Sequence, residues 1–371
     1  MSQVPASASS FTSTCTGCGQ KLRFVLSADM PARLRIQCSA CKTVFGVRRP
    51  GTEGGEPPTV AGAAPTLVGV PVETGALTAA MPIRRENPVF ARGAVLGHRY
   101  EVVRFVARGG MGEVYEVEDR ELRERVALKT VHPEVAGNTL AIERFRREIQ
   151  LARKVTHPNV CRIFDVAHHH PEDGSPGTIF LTMELLTGET LAERLRRMGP
   201  IEPEDALPIA RQIAGALQSA HQAGVVHRDL KPGNIMLVEG RDGLRAVVTD
   251  FGIARLDGRV EDQRGLALTS DGLIGTPAYL SPEQVEGKEI TPAVDIYAFG
   301  LVLFEMLTGT LPFLGENALA TAVKRLQEVP SSPRLYLPNL DRRWESSILR
   351  CLARDPAARF PTAPAAIDAI D

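Results

Sequence analysis

Residues 225–237 read VVHRDLKPGNIML and place an acid, a cation and an amide close together: Asp229, Lys231 and Asn234. A carboxylate at 229 can accept or orient the proton of an attacking hydroxyl. An ammonium two residues on can neutralise charge on a transferred phosphoryl group, and an amide oxygen can ligate a hard cation. A second acid, Asp250, opens the tripeptide DFG after the apolar run RAVVT. Its carboxylate could chelate a magnesium ion that bridges polyphosphate oxygens. The pattern H-R-D-L-x-x-x-N is filled at every fixed position and is followed in order by D-F-G.

Upstream, VARGGMGEVYEV (106–117) puts Gly109, Gly112 and Val114 where a G-x-G-x-x-G-x-V phosphate loop needs them. Ala107 stands at the first glycine position, where one methyl group is tolerated if φ is negative. The expected cost is a weakened affinity for ATP at most. A glycine loop alone is weak evidence, but Lys129 in VALK follows on the next strand, placed to meet the α- and β-phosphates. Such a lysine needs a carboxylate to hold it extended. Glu148 in RFRREIQ is the candidate, with Glu143 the weaker alternative. Either residue, taken alone, reads as a solvated charge.

Strands come first and helices later. From Tyr100 the pattern is strand, glycine turn, strand (EVYEVED), strand (ERVALKTV) and a helix, LAIERFRREIQLARKV. VCRIFDVA and TIFLTMEL read as two more strands around a polar loop at 168–177, in which His168–His170 read as solvated. After Gly188 the chain turns helical, in ETLAERLRRM, PEDALPIARQIAGALQSAHQ, PAVDIYAFGLVLFEMLTG and ENALATAVKRLQ. The order implies an α+β protein with a β-rich part and a helical part.

The whole chain has 371 residues, 43% hydrophobic and 23% charged, with a formal net charge of −1. That balance gives no electrostatic argument for a nucleic-acid or membrane partner. No apolar run is long enough to span a bilayer, and MSQVPASASS lacks a signal-peptide pattern, so the expected location is cytoplasmic.

Four of the six cysteines form Cys15-x-x-Cys18 and Cys38-x-x-Cys41, separated by 19 residues. Two such turns can close a tetrahedral four-thiolate shell around Zn²⁺, and so small a module would draw most of its folding energy from the metal. The competing reading, two disulfides, needs an oxidising compartment. Cys161 and Cys351 lie in apolar contexts and read as core residues. The expected domains are a zinc-ribbon-like module at 11–49, a flexible Gly/Pro/Ala-rich linker at 50–92 and a large domain at 100–371.

RGGMGEVYEV, HRDLKPGNIML, DFGIA and GTPAYLSPEQ carry a resemblance to the eukaryotic-like Ser/Thr protein kinases, in particular their bacterial branch, over about three-quarters of the chain. The resemblance implies a bilobal kinase fold, with a β-rich N-lobe at about 100–184 and a helical C-lobe at about 187–371. It implies ATP in the cleft, with Mg²⁺ (or Mn²⁺) on Asn234 and Asp250. Val106, Ala107, Arg108, Gly109, Gly110, Met111, Gly112, Glu113 and Val114 then form the roof over the nucleotide, and Ala127 and Lys129 its back wall. Met183 looks like the gatekeeper, with the backbone of Glu184 and Leu186 facing adenine. The HRDLKP form and Thr276 are similar to Ser/Thr rather than tyrosine kinases, so protein Ser/Thr hydroxyls are the implied acceptors. Glu283 and Arg359 resemble the ion pair that anchors the activation segment, and Asp295 the residue that holds the catalytic-loop backbone. SPE in place of APE and Ala107 in place of glycine are the departures.

Arg228 precedes the candidate base and would face the segment LALTSDGLIGT. A phosphate on Thr269 or Ser270 could pair with it, in trans within a transient homodimer; Asp271 is the rival, a built-in carboxylate. A pseudokinase-like scaffold that works through its ribbon is the alternative function. Its expected signature, loss of the lysine or of either aspartate, is missing. Input from a protein or ligand through the ribbon is the expected regulation.

Overall fold

The computed structural model describes the backbone of residues 9–14, 21–26, 33–38, 44–48 and 66–71. It also describes residues 88–371 apart from 110–111, 132–138, 172–176, 241–242, 252–276 and 316–317. The chain divides into two units, Met1–Asn87 and Pro88–Asp371.

In the first unit, β1 (Ser9–Thr14), β2 (Lys21–Leu26), β3 (Arg33–Cys38), β4 (Val44–Arg48) and β5 (Thr66–Pro71) form one sheet in the order β1-β2-β5-β3-β4. The strand-like runs KLRFVL and RLRIQC are β2 and β3. Strand β5 falls inside the stretch expected to be a flexible linker. Its sequence TLVGVP is too short to declare a period among glycines and prolines, yet it pairs on both sides, antiparallel to β2 and parallel to β3. Cys15, Cys18 and Cys41 lie outside the described residues; Cys38 is the last backbone position of β3.

The second unit opens with a six-stranded antiparallel sheet in the order β10-β11-β9-β8-β7-β6. Its strands are β6 (Val95–Leu96), β7 (Tyr100–Gly109), β8 (Gly112–Asp119), β9 (Glu124–Thr130), β10 (Ile163–His169) and β11 (Thr178–Met183). Helix α1 (Thr139–Ala152) intervenes between β9 and β10. Alternate residues of β8, Tyr115 and Val117, join Leu96, Tyr100, Val102, Leu128 and Phe180 in a buried core, as period-two side chains on one face of a sheet must. The lobe begins earlier than Tyr100, because residues 88–99 lie along this sheet and supply β6. His168 and His169 belong to strand β10, not to a loop: they pair with Ile179 and Thr178. Arg146 lies 2.9 Å from His168 Nε2, and His169 packs edge-on against Phe90. The loop reading is corrected for His168 and His169 on those contacts, whereas His170 lies beyond the strand and is exposed, as expected.

The second lobe is helical: α2 (Leu191–Met198), α3 (Pro203–Gln222), α4 (Pro282–Val285), α5 (Ala293–Thr308), α6 (Ala318–Gln327), α7 (Arg342–Cys351) and α8 (Ala363–Asp368). Thr190 and Glu193 close a capping box at the start of α2, and Pro203 occupies the first turn of α3, where its missing N–H costs nothing. Helix α5 is apolar on nearly every face and buried all round, as a central core helix should be. It stops at Gly309, whose φ of 70° supplies the left-handed cap. Cys351 and Cys161 are buried, the second in the cleft region. Among the described residues no helix is long and apolar enough to cross a membrane. A small sheet, β12 (Gly188–Thr190), β13 (Ile235–Gly240) and β14 (Gly243–Val248), carries the segments on which the candidate site stands.

Candidate active site

Helix α5 reaches the catalytic loop through one buried carboxylate. Asp295 accepts the backbone N–H groups of His227 (Oδ2, 2.7 Å) and Arg228 (Oδ1, 2.8 Å), and His221 Nε2 of α3 lies 2.7 Å from the same Oδ2. Gln284 of α4 donates to the carbonyl of Arg228 at 2.9 Å. These ties hold a backbone that is unfavourable in isolation, because Arg228 has φ of 68° and Asp250 has φ of 65°. Each such conformation costs roughly 1–3 kcal/mol and persists only where its surroundings impose it. The Phe251 ring packs 4.6 Å from the His227 ring, and Thr249 donates its N–H to the carbonyl of Asn234 at 2.9 Å. The two halves of the site, 227–234 and 249–251, are therefore locked to each other through backbone and ring contacts.

Within that frame the three candidates of the HRD segment meet. Lys231 Nζ lies 2.7 Å from Asp229 Oδ2. Asn234 Nδ2 donates to the Asp229 carbonyl at 2.8 Å and to its carboxylate at 3.1 Å. The amide nitrogen of Asn234 is thus spent within the loop, which leaves its oxygen as the atom to offer a cation. An amide oxygen and the carboxylate of Asp250 are hard oxygen donors of the kind Mg²⁺ and Mn²⁺ take.

Lys129 sits on β9 opposite Val114 of β8 and Leu181 of β11, with its side chain 8% exposed. Its ammonium contacts Asp250 Oδ1 at 2.7 Å. The expected partner, Glu148, is elsewhere: its carboxylate accepts from Arg228 Nη1 at 2.9 Å. The pairing expected between Lys129 and Glu148 is therefore not the one the structure makes. The aspartate of the opposite lobe satisfies Lys129, while α1 carries Glu148 to the catalytic loop. Arg228, expected to face the segment containing Thr269 and Ser270, is thereby already engaged. Glu143 is exposed.

The glycine hairpin runs Ala107 opposite Val114, Arg108 opposite Glu113 and Gly109 opposite Gly112. Gly110 and Met111 lie outside the described residues. Gly112, with φ of 148°, has no room for a side chain: a Cβ would come 1.9 Å from the backbone oxygen of Thr130. Among the described residues nothing would lie within 4 Å of a Cβ at Gly109. Among the described residues, positive φ outside glycine is confined to His98, Arg123, Arg228 and Asp250, so Ala107 carries no backbone strain. Glu113 departs from a simple place in a nucleotide roof. Its side chain is 6% exposed, and its carboxylate is held inside the lobe by Arg108, Tyr115 and Val89.

At the hinge, Met183 is half-buried and pairs with Ala127, which is buried on β9. The Glu184 N–H donates to the Arg162 carbonyl at 2.9 Å, and its carboxylate meets Arg245 at 3.0 Å. Leu186 follows, half-buried. Met183 also lines a small cavity with Val160, Cys161, Ile163, Asp250 and Phe251. Burial there pushes the Cys161 thiol far above its usual range, which disfavours the reactive thiolate.

Beneath the site, Glu283 and Arg359 form a bidentate pair at 2.6 and 2.8 Å, with side chains 5% and 0% exposed. Thr269, Ser270 and Thr276 lie outside the described residues. Just after them, residues 278–280 are held by a residue the sequence reading missed. Arg325 of α6, buried, donates to the carbonyls of Ala278 (2.6 Å) and Leu280 (2.7 Å). Its neighbours in KRLQ resemble any wet helical face, although its guanidinium lies 5.9 Å from the ring centre of the buried Phe313.

A family model described as protein kinase domain matches residues 100–368. The serine/threonine-protein kinase PrkC of Bacillus subtilis is 39% identical over 275 residues, 73% of this chain and 40% of that protein. PknA of Mycobacterium tuberculosis is 37% identical over 279 residues, 75% of this chain and 62% of PknA. The crystal structure of the Mycobacterium tuberculosis PknI kinase domain superposes with a TM-score of 0.59 at 26% identity, covering 76% of this chain and 98% of that one. The match spans about two-fifths of PrkC's length.

Proposed function

The chain belongs to the protein kinase domain family, and on that premise we propose that it transfers the γ-phosphoryl group of ATP to serine and threonine hydroxyls of proteins. The observation that carries the reading is the convergence of Asp229, Lys231 and Asn234 on one another within a frame shared with Asp250. Asp229 accepts or orients the hydroxyl proton, Lys231 neutralises charge on the moving phosphoryl group, and Lys129 steadies the phosphates. Asn234 and Asp250 would hold Mg²⁺ or Mn²⁺, which supplies charge neutralisation and alignment of the phosphates. The choice of Ser/Thr rests on Lys231–Pro232 in the HRDLKP form and on the likeness to PrkC and PknA, both serine/threonine-protein kinases.

The finer reading extends to regulation. A phosphate placed on Thr269 or Ser270 by a second copy competes with Glu148 for Arg228, and a Glu148 so released becomes available to Lys129. In the N-terminal unit, Cys15, Cys18, Cys38 and Cys41 bind one structural Zn²⁺: position 38 closes β3, and the others fall in the connections β1–β2 and β3–β4. This module receives the protein or ligand input, in the cytoplasm.

The test is transfer from labelled ATP with Mg²⁺, comparing the wild type with Asp229→Asn. Labelling that falls by about 10²–10⁴-fold in the variant supports the reading. Equal labelling overturns Asp229 as the base, and intact ATP binding with no transfer moves the weight to a scaffold. Zinc content is read separately: about one ion per chain is expected, lost in Cys15→Ser/Cys18→Ser, and a metal-free wild type sinks the zinc reading.

A further inference from the structure

Glu113 stands where three segments meet. Across the hairpin it faces Arg108, the residue between Ala107 and Gly109, and accepts from Arg108 Nε at 2.8 Å and from Nη2. Its backbone N–H donates to Thr130 Oγ1 at 2.9 Å, next to Lys129. The third partner comes from the beginning of the unit: the N–H of Val89 donates to Glu113 Oε2 at 3.0 Å. Phe90 donates its N–H to Tyr115 Oη at 3.1 Å, and that hydroxyl in turn donates to Glu113. The Phe90 ring packs edge-on against both Tyr115 and His169, 5.9 and 5.6 Å away. Gly93 and Ala94 then exchange backbone hydrogen bonds with Val102, so the segment stays attached along β7.

A carboxylate this enclosed is stable as an anion only while its donors remain. Burial alone would push the Glu113 carboxyl upward, but Tyr115, Val89 and Arg108 together bring it below the usual range. Val89 as a residue is 70% exposed, so its backbone N–H, and not side-chain packing, makes the tie. Val89 is also the second residue of its unit, the point through which any pull from the preceding chain must enter.

We propose that Glu113 is a positioning residue that couples the Val89–Phe90 segment to the glycine hairpin. While Val89 is seated, Arg108 and Gly112 hold the geometry that grips the ATP phosphates. When Val89 is withdrawn, Glu113 turns to recover a donor, Arg108 moves with it, and ATP affinity falls. The segment is thereby a built-in input to the nucleotide site. The inference rests on the proposed ATP-dependent reaction.

The test uses the full chain. Val89→Pro removes the donating N–H, Val89→Ala keeps it, and neither changes the residue types at 113 and 108. ATP binding by titration calorimetry, together with KM and kcat, is the readout. The expected result is a three- to tenfold weaker ATP dissociation constant and KM in Val89→Pro, on the order of one charge-assisted hydrogen bond partly lost. Both kcat and the KM for protein substrate stay at wild-type values, as does all of Val89→Ala. In a Glu113→Gln background the Val89→Pro effect should shrink towards zero, since the pair is coupled through that carboxylate. Equal ATP affinity in Val89→Pro and Val89→Ala, or an undiminished effect in the Glu113→Gln background, overturns the coupling alone. A wild type that binds no ATP overturns the kinase reading and this inference with it. If Val89→Pro does not fold, the comparison of Phe90→Ala with wild type decides in the same way, because Phe90 packs the segment onto Tyr115.

Discussion

Glu283–Arg359 and Glu148–Arg228 are both carboxylate–guanidinium pairs of the same unit, but they are built differently. The first is bidentate and buried, and Arg359 spends its remaining donors on the carbonyls of Ala293, Ala353 and Arg354 while lying 4.9 Å from the Tyr297 ring centre. The second is a single contact between side chains 22% and 23% exposed, with Glu148 Oε2 and Arg228 Nε buried and lacking hydrogen-bond partners among the described residues. A fully satisfied buried pair has one arrangement, whereas a half-satisfied pair at a cleft can exchange partners at small cost. The helical lobe is therefore a fixed base, and the cleft above it holds charges that can be re-paired.

That contrast can be broken most sharply at its rigid end. Arg359→Ala leaves the Glu283 carboxylate buried without its cation, and thermal unfolding should report a loss of about 3–5 kcal/mol. A loss under about 1 kcal/mol would mean that the pair is not the anchor described. Next in size is the hairpin, where Gly112→Ala drives a methyl group into the Thr130 carbonyl. It should cost about 10²-fold in kcat/KM for ATP. Gly109→Ala, with none of the described residues within 4 Å of the added methyl group, should stay within about threefold of wild type. Equal effects at the two glycines would show that strain at Gly112 is not what matters.

How much of this was legible before the structure follows the same division. Periodicity located β2 and β3 and found α3 with its bounds, because each is a single amphipathic or alternating run. The residues of the HRD and DFG segments were legible because their types and spacing are local. The choice of partner for Lys129 was not legible. It depends on where α1 places Glu148 relative to a residue 121 positions further along the chain than Lys129, and spacing does not encode that distance. Strand β5 was hidden among glycines and prolines and is visible only through its two neighbours. Arg325 was hidden because a buried arginine and a solvated one have the same letter; Ala278 and Leu280, which it holds, carry no polar side chain to announce it.

Smaller effects sharpen the comparison further. Arg325→Met should raise the KM for a protein substrate about tenfold, with KM for ATP unchanged, if residues 278–280 face the acceptor. A shift in both constants would place Arg325 among the general supports of the fold. Glu148→Gln should alter stability by at most about 1 kcal/mol, as expected of a partly exposed pair, yet still slow transfer. A large drop in melting temperature would erase the distinction between the two pairs.

The smallest expected effect is that of pH. Burial holds the imidazoles of His157, His168 and His169 below their ordinary value, with Arg146 and His170 adding to it for His168, and His98 and His170 for His169. The unfolded chain therefore binds protons on these groups first as pH falls. Stability present above about pH 6.5 should decline below it. Melting curves between pH 7.5 and pH 5.5, chosen as about one unit either side of that value, should show the decline, and it should shrink in His157→Gln. A stability that rises on acidification would reverse the sign of the argument.

The most direct test of the central claim is phosphoamino-acid analysis of the products formed from labelled ATP and Mg²⁺, with Asp229→Asn as the blank. The account predicts phosphoserine and phosphothreonine in the wild-type lane and neither in the blank. Phosphotyrosine as the main product, or identical label in both lanes, would contradict it.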